Sequence, residues 1–408
     1  MVPRFYAPGP SASAEHGRFP HDTAPAEAGG SKGSRPLVNV PLLDLVAQYR
    51  EIKNDVLAAM MAVIERQSFI MGPEVPRLEE EIARLSHAKH GIACASGTDA
   101  LLLPLKALEL KPGDEVITTP FSFFATAGTI HNAGGRPVFV DIDPGTLNIS
   151  PPAIEAAVTP RTRAIIVVHL FGQMAAMEEI GPIAARHGLP LIEDGAQSIG
   201  ARRKVAGEWR ASGELGTVGT LSFFPTKNLG AWGDGGLMVT QDDGLADRLR
   251  RLRLHGGSRQ YYHEEVGTNS RLDTLQAAVL LAKLPHLERW TEARKRNAAR
   301  YTAAFSGHPA VCPPSADPAN DHIFHQYTIR VPQRDQLQAH LKSSGIGTSI
   351  YYPLALHLQP CFQYLGYGRG DLPVAEAAME SVISLPVYPE MTSQQQDNVI
   401  EAVLSFYA

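Results

Sequence analysis

The chain has 408 residues, 44% of them hydrophobic and 19% charged, which supplies a sizeable core and exceeds the usual length of one domain. Its formal net charge of −5, from 37 basic and 42 acidic residues, leaves no basic footprint for nucleic acid and no polybasic patch for a membrane surface. Cys94, Cys312 and Cys361 lie far apart without CxxC spacing, which excludes a disulfide scaffold and a zinc site and fits reduced thiols in a cytoplasmic protein.

Residues 1–36 are rich in Pro, Gly, Ser and Ala and lack the apolar core of a signal peptide. They cannot bury enough surface to offset the entropy of ordering, so they read as a flexible tail. From Pro41 the run LLDLVAQYREIKNDVLAAMMAVIER places apolar residues at three- and four-residue spacing and predicts a helix. After the turn Met71-Gly72-Pro73, VPRLEEEIARLSHAKH predicts a second. Short apolar strands then alternate with helices. GIACA precedes a helix through ALLLPLKAL, and DEVITT precedes one through TAGTIHNAG. PVFVDI, RAIIVVHLF, LPLIED, TLSFF and GGLMVT read as further strands, with MEEIGPIAARHG as a helix among them. Continuous apolar strands separated by helices predict a buried, mostly parallel sheet covered on both faces, a three-layer α/β domain. RLDTLQAAVLLAKLPHLERWTEARKRNAARYTAAF reads as long helix. The break at Cys312-Pro313-Pro314 leads into the strand HQYTIRV, the helix RDQLQAHLKSSG and a closing helix near QQQDNVIEAVLSF, a smaller α+β domain. The expected division is 37–285 for the large domain and 286–408 for the small one. No apolar run approaches the roughly 18 residues a membrane span needs.

Ligands of open parallel sheets sit at the carboxyl ends of the strands, and several polar clusters fall there. Ser96-Gly97-Thr98 follows GIACA and opens a helix, where free N–H groups and the helix dipole make a phosphate site. Alone, the same triplet is an ordinary N-cap. Asp194 ends LPLIED, with Gln197 three residues on; a carboxylate there caps a helix or holds a protonated ring nitrogen. PFSFFATA sets three phenylalanines around Ser122, which serve as core or as a face for a flat cofactor. Lys227 follows TLSFF and enters the loop NLGAWGDGG. A lone strand-end lysine is ordinarily a snorkelling surface residue. Together, a phosphate turn, an aromatic plate, a carboxylate and a lysine on successive strand ends are the four things pyridoxal phosphate requires. The glycine loop lacks the helix and distal acid of a dinucleotide fingerprint.

CASGTDAL, PFSFFATA, PVFVDIDP, VHLFGQ, IEDGAQSIGA, SFFPTKNLGAWGDGG and GTNSRLDTLQAA, in this order, resemble the successive motifs of the DegT/StrS sugar aminotransferases. These are pyridoxal-phosphate enzymes of fold type I, the aspartate aminotransferase-like fold. The resemblance runs from about Pro41 to the final helix, includes YYPLALHLQP and ISLPVYPE, and leaves only the tail outside. By position it implies that Lys227 forms the internal aldimine with pyridoxal 5'-phosphate and shuttles the proton, with pyridoxamine phosphate as the intermediate. It implies that Asp194 keeps the pyridine nitrogen protonated and that Gln197 lies against the cofactor's oxygen side. Gly97 and Thr98, with the Ser222 hydroxyl, are to hold the phosphate, and Phe123 is to stack on the ring. Asn269 is to reach the phosphate from the neighbouring subunit, so that a homodimer shares its active sites. No metal is expected.

The resemblance further implies transfer of an amino group from L-glutamate to a nucleotide-diphosphate-linked keto-sugar. RLHGGSRQYYHEEVGTNSRLDTLQAAVLLAKL resembles the members that aminate the third carbon, with UDP-2-acetamido-2-deoxy-3-keto-glucuronate as the best match. A dTDP-3-keto- or 4-keto-6-deoxyhexose, a keto-inositol, and last a non-catalytic regulatory role are the alternatives. A sugar dehydratase of the same fold has a histidine where this chain has Lys227. Arg271 is expected to bind an anionic group of substrate or donor, or else to form an interface ion pair. Tyr352, His357 and His325 are further substrate-site expectations. His169, at a strand end, reads as structural.

Overall fold

The computed structural model describes residues 39–408, so the reading of a flexible tail over 1–36 lies outside the described residues. Among the described residues twelve strands follow in chain order: β1 (His90–Cys94), β2 (Glu115–Thr118), β3 (Arg136–Phe139), β4 (Thr162–Val168), β5 (Leu191–Asp194), β6 (Arg202–Val205), β7 (Glu208–Ala211), β8 (Val218–Ser222), β9 (Gly236–Thr240), β10 (Asn320–Asp321), β11 (Tyr327–Arg330) and β12 (Val382–Leu385). The helices are α1 (Leu45–Arg66), α2 (Glu74–Leu85), α3 (Gly97–Ala107), α4 (Ala125–Asn132), α5 (Pro151–Ala157), α6 (Met177–Arg186), α7 (Asp243–Leu252), α8 (Thr274–Lys283), α9 (Leu287–Phe305), α10 (Arg334–Ser343), α11 (Pro373–Ser381) and α12 (Ser393–Phe406).

Seven strands form one sheet in the order β1-β9-β8-β5-β4-β2-β3. Neighbours from β8 to β3 are parallel, and β9 runs antiparallel to both β1 and β8. Alternation along these strands loads both faces. Ile166, Ile192 and Val218 pack with Leu103 of α3 and Leu249 of α7 on one side, whereas Ile165 and Val167 pack with Ile154 of α5 and Ile180 of α6 on the other. This is the three-layer α/β arrangement of fold type I. A second core gathers Tyr301 and Phe305 of α9, Tyr327 and Ile329 of β11, Leu341 of α10 and Val403 of α12 around the antiparallel β11–β12 pair. Val40 is fully buried in this second core and bridges to Ile346, so the first described residues pack with the C-terminal ones.

Three local features differ from the sequence expectation. The predicted long helix breaks at Pro285, whose ring and missing N–H end α8 and leave a single 3₁₀ turn, Leu284–His286, before α9. RRKVAGEWRA, too polar to read as strand, forms the β6–β7 hairpin around Ala206 and Gly207, both at positive φ (52° and 86°). PVFVDI is strand only as far as Phe139. Among the described residues no helix is long and apolar enough to cross a membrane.

Candidate active site

The direction of β9 builds one end of the site. Gly236, its first residue, pairs with both Cys94 and Ser222, so the turn that follows β1 lands beside the end of β8. There Ser96 caps α3 by accepting the Asp99 N–H at 3.1 Å, and the N–H groups of Gly97 and Thr98 stay free of intrahelical partners. A Cβ on Gly97 would fall 2.6 Å from the Ser222 Cβ, so only glycine permits this approach. Free N–H groups, a helix N-terminus and the Ser222 hydroxyl together form an anion cradle.

At the other end Asp194 closes β5, nearly fully buried. Its Oδ2 accepts the Thr126 hydroxyl at 2.8 Å, Thr126 is in turn 2.8 Å from the Ser122 hydroxyl, and Oδ1 accepts the Ala196 N–H at 3.2 Å. Burial raises the Asp194 pKa against the pull of these donors and of the Lys227 ammonium. Such a carboxylate is poised for an opposite charge. Gln197 accepts the Phe171 N–H at 2.6 Å and donates to the Tyr352 hydroxyl at 3.0 Å, which fixes its amide orientation. Burial pushes the Tyr352 phenol up, so it remains a hydrogen-bonding hydroxyl.

Lys227 stands between these ends. Desolvation by the surrounding protein lowers its amine to about 8 against the attraction of Asp194. His325 is buried, and desolvation, with the positive charges of Lys227 and Arg294, holds it neutral. Its Nδ1 donates to the Asn228 side-chain oxygen at 3.1 Å, which leaves Nε2 as an acceptor.

These groups enclose a cavity of about 430 Å³. Of the residues expected from sequence, Gly97, Thr98, Ser222 and Lys227 line it, as do Asp194, Gln197 and Phe123, the last 61% exposed. His325 and Tyr352 also line it. His357 does not, and its reading as a substrate residue is corrected: it is 1% exposed, its Nε2 lies 3.1 Å from Glu376, and it packs edge-on to Tyr367. Asn269 and Arg271 also lie outside this cavity. Asn269 is exposed and bridges to Leu254, and Arg271 borders an open depression formed by the 254–267 loop. His169 turns its ring to Glu193 at 2.7 Å, as a structural residue does. Sequence reading passed over Thr126, Asp234, Gln326 and Tyr351, all lining residues. Only Thr126 carried a signal, one helical turn beyond Ser122.

A model of the DegT/DnrJ/EryC1/StrS aminotransferase family matches residues 50–404. The chain belongs to this family. A pleiotropic regulatory protein of Geobacillus stearothermophilus is 54% identical over 91% of this chain and 99% of its own length. A UDP-N-acetyl-3-dehydro-alpha-D-glucosamine 3-aminotransferase of Acidithiobacillus ferrooxidans is 44% identical over 87% of this chain and 95% of its own. A UDP-2-acetamido-2-deoxy-3-oxo-D-glucuronate aminotransferase of Pseudomonas aeruginosa is 44% identical over 86% and 95%. The crystal structure of S. venezuelae DesV with a ketimine intermediate superposes with a TM-score of 0.87 at 41% identity, covering 90% of this chain and 98% of that one. The protein is thus a pyridoxal-phosphate-dependent sugar aminotransferase. Its residues fit that cofactor: an anion cradle that a single Cβ would fill, a buried carboxylate for a protonated ring nitrogen, and one amine between them.

Proposed function

We propose that this aminotransferase moves an amino group from L-glutamate to the third carbon of a UDP-linked 2-acetamido-3-keto sugar, with the 3-keto-glucuronate as the preferred substrate. The observation that carries the chemistry is the Lys227 amine, lowered to about 8, in one cavity with the buried Asp194 and the Gly97–Ser222 cradle. Two relatives at 44% identity whose names specify UDP-linked 3-keto sugars support the substrate class. Arg271 favours the uronate, since a planar guanidinium matches a carboxylate with two hydrogen bonds.

Pyridoxal phosphate supplies the electron sink that makes the carbon–hydrogen bond beside the nitrogen acidic. The chain supplies the rest. Gly97, Thr98 and Ser222 would hold the phosphate, Asp194 would pair with the charged ring nitrogen, and Gln197, anchored by Phe171 and Tyr352, would offer its amide to the ring oxygen. Phe123 presents an aromatic face. Lys227, with part of its population neutral near pH 8, accepts and returns the proton on one face of the substrate.

The site is completed by a second copy of the chain. Phe123 and Phe224, which line the cavity, are 61% and 50% exposed, the neighbouring Phe124 is 47% exposed, and Leu57, Met61 and Ile64 are exposed along α1; this apolar surface supports an interface. Asn269 and Arg271 then serve the partner's cavity, which accounts for their distance from their own. The division at residue 285 separates a cofactor-holding lobe from a smaller lobe, which Val40 joins from the N-terminal side, in a cytoplasmic enzyme.

The test is a panel of nucleotide-linked amino sugars incubated with 2-oxoglutarate and followed by mass spectrometry. Glutamate and a UDP-3-keto-uronate are the expected products. A preference for a dTDP-linked 4-amino sugar would overturn the substrate, and a protein that stays colourless after reconstitution would return the non-catalytic reading.

A further inference from the structure

Behind the cavity lies a set of buried charges that the proposed chemistry leaves unused. Lys283, at the end of α8, is 2% exposed, and its ammonium donates to the Gly230 carbonyl at 2.5 Å while lying 5.9 Å from the Trp290 ring centre. Arg294, on α9, is 5% exposed and points Nη1 at the carbonyls of Phe324, His325 and Val387, at 3.4 to 3.5 Å. The charge acting on both cations is the Glu390 carboxylate, whose two oxygens are enclosed without a partner from another residue. A buried lysine is expensive, and an apolar side chain of similar volume would serve packing at least as well.

What the two cations hold is informative. Gly230 lies three residues beyond Lys227 in a loop wound so tightly that a Cβ on it would fall 2.3 Å from the Pro225 carbonyl oxygen. The loop closes on itself through Lys227 N–H to Phe224 O at 2.9 Å and Ala231 N–H to Phe223 O at 2.8 Å. A shift of Gly230 therefore moves Lys227. His325, whose carbonyl faces Arg294, is tied through its ring to Asn228, the neighbour of Lys227. Hydrogen bonds join Lys283 to Gly230, Arg294 to His325 and His325 to Asn228, and the Glu390 charge acts on both cations, so the cluster meets the Lys227 loop at two places.

We propose that Lys283, with Arg294 and Glu390, is a positioning residue for the reaction: it fixes the carbonyl of Gly230 and so aims the Lys227 amine. The proposal rests on the reading of Lys227 as the cofactor-binding amine.

The test is Lys283→Met in the holoenzyme. Its thermal stability should fall, because the Gly230 carbonyl loses its donor and the Glu390 carboxylate loses a nearby cation, so the kinetic and exchange readouts are taken at a temperature where the variant is folded. Its kcat should fall about ten- to a hundred-fold with KM for the sugar little changed, the signature of a misplaced reacting group. Hydrogen exchange in the peptide covering 223–231 should rise while that of α8 does not, and the pH midpoint of the bound cofactor's visible absorbance should move. Lys283→Arg, which restores a charged donor, should recover most of the rate. If Lys283→Met does not fold, Lys283→Gln, an uncharged donor, should show the same exchange and absorbance changes to a smaller degree. Unchanged exchange at 223–231 and an unchanged absorbance midpoint in whichever variant folds would overturn the proposal. Lys227→Ala separates the two readings: if it keeps the cofactor's colour, the underlying reading of Lys227 fails; if it loses the colour while Lys283→Met behaves as the parent, only the positioning role fails.

Discussion

Gly97→Ala is the most searching perturbation of the cofactor cradle. The added methyl would meet the Ser222 Cβ at 2.6 Å and its Oγ at 2.8 Å. Carbon atoms rest at about 3.5–4.0 Å, so the contact is short by about 1 Å. Rotation of the Ser222 side chain moves Oγ but not Cβ, and the Ser222 backbone is held by its pairing with Gly236. The turn before α3 must therefore retreat and carry the free N–H groups of Gly97 and Thr98 with it. Overpacking of this kind costs about 1–3 kcal/mol. If the strain falls on the cradle, cofactor affinity drops about 5- to 150-fold. Titration of the cofactor-free protein with pyridoxal phosphate, followed by visible absorbance, measures the drop, and a thermal melt of the same protein shows what the fold absorbs. Ser222→Gly removes the colliding carbon, so Gly97→Ala should cost much less in that background, a coupling read from the double-mutant cycle. Parental affinity in Gly97→Ala, or an equal cost in both backgrounds, would refute the steric argument.

Two further predictions concern individual side chains. Burial holds the Lys227 amine at about 8, below its ordinary value of 10.5. Between these values the unfolded chain binds the proton and the folded chain does not, so this group makes the cofactor-free protein more stable as pH rises through the window. Lys227→Met should abolish that component, seen as a smaller gain in urea midpoint between about pH 7.5 and 10.5 than the parent shows; an identical gain in both would contradict it. His357→Phe keeps a ring of similar size and deletes the bond to Glu376. It should lower stability by about 1–2 kcal/mol with kcat/KM close to the parent's. A large loss of kcat/KM at unchanged stability would restore His357 to the substrate site.

Legibility in the sequence followed the reach of local rules. The strand ends were readable because a continuous apolar run that stops at a polar residue marks both the buried strand and its edge. Asp194 and Ser222 each close such a run and both line the cavity. The β6–β7 hairpin was not readable, because its strands alternate polar residues on an exposed layer and its turn places Ala206 at a positive φ. The Lys283–Arg294–Glu390 cluster was hidden for a different reason. A lysine at the end of an amphipathic helix looks like a solvated cap, and only the approach of the glycine loop and of the segment after β12 buries it. His357 failed in the opposite direction, since the motif drew attention to a ring that tertiary packing turns toward Glu376. Arg271 and Asn269 lie outside the cavity, beside the 254–267 loop, and no local rule relates that surface to the strand ends.

The reversed strand β9 also governs how this protein can vary. Because Gly236 is paired to Ser222 on one side and to Cys94 on the other, residues 223–235 form a loop whose two ends are clamped together at one rung of the sheet. Any residue inserted or removed there has no slack to draw on at either end, and the displacement would fall on Lys227. The 254–267 loop is closed at its own base, by the Leu254–Asn269 bridge and the His255 N–H to Thr268 O bond at 3.0 Å, apart from the Ser222–Gly236 rung, and it exposes Tyr261, Tyr262 and Val266. Lengthening or recasting that loop leaves the amine where it is. On the proposed reading of Arg271 and Lys227, substrate range can drift in one loop while the amine stays fixed in the other, and engineering for a new sugar should begin at residues 254–267.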